Sequence, residues 1–206
     1  MVYKATEKTK AHKQARRLLL TDKAISQIKS VGFTGLTMES LAQDAGIAVG
    51  TVYKYFDSKA SLCLEVFKVA TEKEVSIIND ISKGCGTPNE RLGKAITTFS
   101  RRAIHSQQQA FALIFEPVNP LVEKERLNYR KAYALIFEEI IKEGIESKEF
   151  IEQSTYLAAT AIVGIIAEVL IRPLSQLENK YTEDQFIEEI KQFCLRSIAY
   201  PTPQNR

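Results

Sequence analysis

Apolar residues recur at three- and four-residue intervals along nearly the whole chain, a period that restricts it to packed amphipathic helices. Few breakers interrupt the pattern, since 206 residues include only nine glycines and six prolines. That length allows one large domain or two small ones and is ample for a hydrophobic core. With 45% hydrophobic and 26% charged residues the composition is that of an ordinary globular protein, which excludes disordered, collagenous and fibrous classes. Cys63, Cys85 and Cys194 are widely separated. Isolated cysteines in odd number point to a reducing compartment, and no apolar segment follows the basic start as a secretory signal would. The expected location is cytoplasmic.

Charge is unevenly spread. Residues 1–60 carry ten Lys and Arg against five acids, a net of +5, so the remaining residues are slightly acidic on a chain of formal charge +3. A basic N-terminal third on such a body fits a nucleic-acid-binding head, a solvated charged face, or a basic amphipathic membrane helix. The third option is weakened by the further packed helices that follow.

Local signals sharpen the first option. Leu20, Ala24, Ile25, Ile28 and Val31 form one face of a helix ending near Ser30, with Gly32 as its stop and Phe33 folding back. Thr37 is placed to cap a helix from Met38 to Ala45, and Gly46 ends it. A second short helix is expected over Val49 to Phe56, and Asp57 or Ser58 caps a longer one running towards Ile81. Two short helices joined by a tight Ala45-Gly46-Ile47-Ala48 turn form the helix-turn-helix pattern. The small Ala42 lets the helices cross closely, and Gly46 permits the left-handed turn. Leu41, Ile47, Val52 and Phe56 supply the wedge, leaving Thr51, Tyr53, Lys54 and Tyr55 to project outward. Hydroxyls and an ammonium on such a surface suit phosphate and base-edge contacts. Short helices around a glycine also occur in all-α proteins that bind no DNA.

The run Gly32-Phe33, Thr37, Leu41-Ala42, Ala45-Gly46-Ile47, Gly50-Thr51-Val52-Tyr53-Lys54-Tyr55-Phe56 and Ser58-Lys59-Ala60-Ser61-Leu62 resembles the DNA-binding domain of the TetR/AcrR family, over residues 15–65. Two positions depart from the family pattern. Ala48 stands where a capping serine is frequent, and Leu36 where threonine is frequent. The resemblance implies an all-α protein with a three-helix helix-turn-helix DNA-binding domain over residues 1–60 and a helical effector-binding and dimerisation domain over 61–206. It implies phosphate contacts by Thr37, Thr51, Tyr53 and Lys59, with Val49, Gly50, Lys54 and Tyr55 in or beside the major groove. Valine can touch only apolar base edges, so Lys54 and Tyr55 are the stronger candidates for direct readout. The basic leader from Lys4 to Arg17 either reaches phosphate or the minor groove or is a solubilising tail.

In the body, Pro88 marks a break, and Leu92, Ala95, Ile96 and Phe99 continue a helical face towards His105. A short apolar run, Phe111 to Phe115, is closed by Pro117 and Pro120, and a long amphipathic helix covers Leu121 to Gly144. Thr155 to Ile171 is almost wholly apolar. It falls short of the roughly 20 residues a bilayer needs, so a buried interface helix ended by Pro173 is expected. The last helix, Thr182 to Ile198, presents Phe186, Ile190, Phe193 and Leu195. Two apolar C-terminal helices with little chain left to cover them suggest packing against a second copy, and a dimer would carry two recognition helices to the half-sites of a palindrome.

The resemblance also implies a small hydrophobic effector. Phe99, Phe111, Phe115, Tyr129, Tyr133 and Phe137 are candidates to line its cavity, although ordinary core packing is the more common role for any one of them. Glu116, His105, Glu168 and Arg172 are polar groups near apolar runs that could orient it. The chain has no catalytic constellation: two histidines, no H-E-x-x-H, no G-x-S-x-G, no P-loop and no zinc-like cysteine spacing. No cofactor, metal or membrane role is expected. The expected function is a ligand-responsive, homodimeric repressor on double-stranded DNA, and the alternative is a DNA-binding regulator governed by a protein partner with no small effector.

Overall fold

The computed structural model describes residues 7–175 and 181–200. Among these, nine helices account for all regular structure apart from an isolated bridge between Phe150 and Ala199. The first, α1 (Glu7–Gly35), continues past Ser30 but breaks at Gly32, whose φ of 66° and ψ of −172° are not helical. Leu20, Ala24 and Ile28 are buried as their spacing predicts. Val31 is not, at 47% exposure, because the chain reverses at Gly32 and carries this last turn off the core. Phe33 does fold back and is buried.

Two short helices and the first turns of a long one complete the head. Helix α2 (Met38–Ala45) starts from Thr37 and ends on left-handed Gly46. Helix α3 (Val49–Val52) is only one turn, so the expected Val49–Phe56 helix is cut short. Helix α4 (Lys59–Ser82) starts from Ser58, which forms a reciprocal capping box with Ser61. Leu20, Ala24, Ile28, Phe33, Leu36, Leu41, Val52, Phe56, Leu62 and Phe67 meet in one core. Each helix buries one stripe and none could do so alone.

The body follows with α5 (Pro88–His105), α6 (Gln107–Ile114), α7 (Pro120–Glu146), α8 (Thr155–Leu174) and α9 (Glu183–Arg196). Pro88 occupies the first turn of α5, where a missing N–H costs nothing, and Thr87 with Glu90 caps it. A second core joins Ile78, Leu92, Ile96, Phe137, Ile140, Ile141, Phe150, Ile162, Ile166 and Leu170. Helix α4 is common to both cores, contributing Leu62 to Phe67 to the head and Ile78 to the body.

Two details of the C-terminal pair differ from expectation. Helix α8 runs through Pro173 to Leu174, giving 20 residues that are long and apolar enough to cross a bilayer; its Ala158, Ala159, Ile162, Ile166 and Leu170 are instead buried in the body core. In α9 the inward face is Ile187, Ile190, Cys194 and Leu195, which rotates Phe193 outward to 55% exposure.

Cys63 and Cys194 are buried while Cys85 is exposed in the α4–α5 turn. Burial pushes both buried thiols up to about 11. In the native protein at neutral pH, Cys85 is therefore expected to react with a thiol reagent within minutes and the other two only on unfolding. Titration with and without denaturant checks this, and three fast thiols in the native state would contradict the burial.

Candidate DNA-binding surface and body cavity

The helix-turn-helix is set by local hydrogen bonds. The Thr37 hydroxyl accepts from the Ser40 N–H at 2.9 Å, and the Ser40 hydroxyl accepts from the Thr37 N–H at 3.0 Å. At the turn, the Ile47 N–H reaches back to the Ala42 carbonyl at 3.0 Å. Ala48 is the N-cap of α3 and makes no side-chain bond there, the consequence of having alanine at a serine-favouring position. Beyond Val52 the coil tightens, with the Tyr55 N–H on the Val52 carbonyl at 2.9 Å. This tighter winding returns Phe56 to the core and leaves Tyr53 and Lys54 facing solvent.

The predicted contact residues fall on one short stretch but differ in availability. Gly50, Tyr53, Lys54 and Lys59 are exposed, and a Cβ at Gly50 would meet nothing within 4 Å. Val49, Thr51 and Tyr55 are half-buried, with Val49 and Tyr55 leaning on the head core. Thr37 is half-buried and its hydroxyl is engaged in the cap. The Lys59 ammonium donates to the Thr34 carbonyl at 3.1 Å, which ties it to the turn that follows Gly32.

Of the basic leader, Lys4 and the Lys8 side chain lie outside the described residues. Arg17, at its end, faces inward. Its guanidinium donates to Glu65 on α4 and to the Tyr55 carbonyl at 2.8 Å, and stacks 4.8 Å from the Phe56 ring centroid. Arg17 thus fastens α1 to the end of the recognition segment. Its hydrogen bond holds the Glu65 carboxyl below the usual carboxylate range.

A cavity of about 110 Å³ lies in the body between α4, α5, α6, α7 and α8. Phe99, Tyr129, Tyr133 and Phe137 line it. Phe111 and Phe115 do not: their rings sit 6.2 Å apart, packed against the outside of the body core. Burial pushes the Tyr133 phenol well above its ordinary value. Three arginines reach the wall. Arg102 is neutralised by Glu74 through paired bonds of 2.6 and 2.7 Å, Arg130 forms no ion pair among the described residues, and Arg126 is buried. The buried Thr71 hydroxyl lines the same space without a hydrogen-bond partner, an uncommon state for a native polar group.

None of the four polar groups expected to orient a ligand lines this cavity. His105 is exposed and pairs with Glu183 at 2.9 Å, and Glu168 and Arg172 lie on the outer surface of α8. Glu116 is buried but turned to the head, where its carboxylate accepts from the Phe33 N–H at 2.8 Å and the Thr34 N–H at 2.7 Å.

Family models place these features. Residues 20–66 match the model of bacterial regulatory proteins of the tetR family, and residues 85–170 match that of the tetracyclin repressor-like C-terminal domain. The chain belongs to the TetR family. It is accordingly a DNA-binding transcriptional regulator. It is 26% identical over 161 residues to the fatty acid metabolism regulator protein of Bacillus subtilis, covering 77% of this chain and 83% of that one. With the HTH-type transcriptional repressor KstR2 of Rhodococcus jostii it shares 28% identity over 142 residues, 67% of this chain and 69% of the other. Among solved structures, FadR from Bacillus subtilis in complex with stearoyl-CoA superposes with a TM-score of 0.74 at 23% identity, covering 86% of this chain and 97% of that one.

Sequence reasoning missed three residues that organise this TetR-family regulator: Arg17, Arg126 and the head-facing role of Glu116. Arg126 left a trace, because it falls four residues after buried Val122 and seven before buried Tyr133, on the apolar stripe of α7. It donates to the Leu113 carbonyl at 3.0 Å and the Glu116 carbonyl at 2.8 Å, and burial lowers its pKa. A guanidinium at an apolar position needs such acceptors.

Proposed function

We propose that this regulator is a homodimeric repressor of a palindromic operator, released when a small molecule with an apolar body occupies the cavity. The observation that carries the reading is Phe67, which is part of the head core and also of the cavity wall. Filling the cavity therefore bears on the head directly. Phe99, Tyr133, Phe137, Val163 and Ile166 offer the effector an apolar lining, the Thr71 hydroxyl a hydrogen bond, and Arg130 a partner for an anionic end. A fatty acyl-CoA has these parts, the acyl chain, the thioester carbonyl and the phosphates, and the resemblance to a fatty acid metabolism regulator and to a stearoyl-CoA complex supports that class.

Dimerisation is supported by the outer surface of α8. Leu157, Ala161, Gly164 and Glu168 are exposed along one stripe, Leu157 to 65% and neighbouring Tyr156 to 68%, and Phe193 of α9 lies outward as well. A Cβ at Gly164 would meet nothing within 4 Å, so a second helix has room to approach closely. Two heads then stand at a spacing set by the bodies, and the effector acts through its differential affinity for the two spacings.

On DNA, Tyr53, Thr51 and Lys59 take phosphates while Lys54 and Tyr55 read base edges, with Val49 and Gly50 against the groove. Thr37 contributes through the α2 N-terminus that it caps. Footprinting on the DNA flanking its own gene across a salt series tests the reading. A protected pseudo-palindrome is expected. Lys59→Ala should lower the salt slope by about 0.9, Tyr53→Phe should weaken binding to all sequences, and Lys54→Ala should change sequence preference. Affinity of the Lys59 variant equal to wild type at every salt concentration would remove that lysine from the interface. A rise in melting temperature with stearoyl-CoA is expected, and the absence of any shift would favour control by a protein partner.

A further inference from the structure

The turn after Gly32 is gripped from both sides. From the body, the Glu116 carboxylate accepts the Phe33 N–H at 2.8 Å, the Thr34 N–H at 2.7 Å and the Thr34 hydroxyl. Residue 32 leaves no room for anything but hydrogen here, since a Cβ would lie 2.6 Å from Glu116 Oε2. From the head, Lys59 Nζ donates to the carbonyl of the same Thr34 at 3.1 Å. One residue therefore joins a body carboxylate to a head ammonium.

Behind Glu116 stands the cavity wall. Arg126 lines the cavity and donates to the carbonyls of Leu113, Ala112 and Glu116 at 3.0, 3.3 and 2.8 Å. Those carbonyls close the C-terminal end of α6, whose Ala110, Leu113 and Ile114 also line the cavity. The end of α6 is thus a wall of the cavity on one side and the stem of Glu116 on the other.

We propose that Glu116 is the positioning residue that transmits occupancy of the cavity to Lys59, with Arg126 as its anchor on the cavity side. The inference rests on the DNA-contact and effector reading above. The cavity offers about 110 Å³, below the roughly 300–1,000 Å³ of drug-sized ligand sites, and on this proposal an occupant larger than that space presses on the α6 wall. Displacing Leu113 and Ile114 withdraws Glu116, leaving the Phe33 and Thr34 N–H groups without their acceptor, and the turn relaxes. An ammonium has three donors. With one held by the Thr34 carbonyl, the other two are aimed at phosphate; once that carbonyl moves, the lysine loses its aim. By linkage, DNA that engages Lys59 makes the cavity harder to fill.

Two arms test this on the full-length protein with a footprinted operator. In the first, stearoyl-CoA is the probe, and operator and probe affinities are measured separately and together. Wild type is expected to lose operator affinity by about tenfold or more at saturating probe, a coupling within the usual range. Glu116→Gln is expected to bind both partners yet show a loss of less than about threefold, and Thr34→Val, a milder change that keeps the backbone donors, an intermediate one. A Glu116 variant with the full wild-type loss overturns the proposal. The second arm needs no effector: Glu116→Gln, Lys59→Met and the double variant are compared for operator affinity. If Glu116 acts through Lys59, the double variant is no weaker than Lys59→Met alone, whereas losses that multiply overturn the proposal. A wild type that ignores stearoyl-CoA but passes the second arm discards that effector class and keeps the Glu116–Lys59 link. A wild type that binds no DNA at low salt overturns both readings.

Discussion

Gly32→Ala is expected to destabilise the protein by about 4 kcal/mol, the sum of a backbone that only glycine adopts readily and the charge-assisted hydrogen bonds lost when Glu116 is displaced. At φ 66° and ψ −172° residue 32 occupies a region that alanine enters only under strain. Its new methyl would also meet Glu116 Oε2 at 2.6 Å. For a domain of this size the melting temperature should fall by roughly 10 °C. Gly46→Ala supplies the contrast. Its φ of 64° is also left-handed, but a Cβ there meets nothing within 4 Å, so a loss of about 1 kcal/mol is expected. Thermal and denaturant unfolding of the two variants checks the difference, and equal losses would show that contact with Glu116 adds nothing. Combining Gly32→Ala with Glu116→Ala should leave the backbone strain and remove the collision.

Phe67→Ala is expected to cost about 3–5 kcal/mol, because a fully buried ring leaves a void that the surrounding helices can only partly close. The ring is 1% exposed and stands 6.4 Å from Phe33 and 5.9 Å from Tyr129 by centroid distance. The void would open into the body cavity, so head and body should be loosened together. Hydrogen exchange is the informative measurement. Faster exchange in both α1 and α7 is expected, while loss of protection confined to one of them would show that Phe67 does not join the two cores. Phe111→Ala, at a half-buried position on the rim of the body core, should cost less than half as much.

Much of the head was readable from sequence because its determinants are local. Thr37 with Ser40, Gly46 after Ala45, and Ser58 before Lys59 act over three or four residues, and each element starts or stops where those residues stand. The misreadings came where distant packing decides. The period of α9 allows two adjacent faces, and contact with α5 selected Cys194 over Phe193 for the interior. Helix α3 could have continued to Phe56, but burying that ring beneath Arg17 required a tighter turn. Phe111 and Phe115 looked equivalent to Phe99 and Tyr133, and only the direction of α6 separates the outer pair from the cavity.

By itself, the sequence determined the all-α class, the capped helix-turn-helix and the family, since these depend on hydrophobic period and on signals a few residues apart. The tertiary structure alone decided what joins the parts. Arg17 reaches Glu65 across 48 residues, Glu116 reaches Phe33 across 83, and Lys59 reaches Thr34 across 25. A charged side chain carries no mark of its distant partner in the chain; packing of the helices brings the groups together, and for buried Glu116 it also removes water as the competing donor.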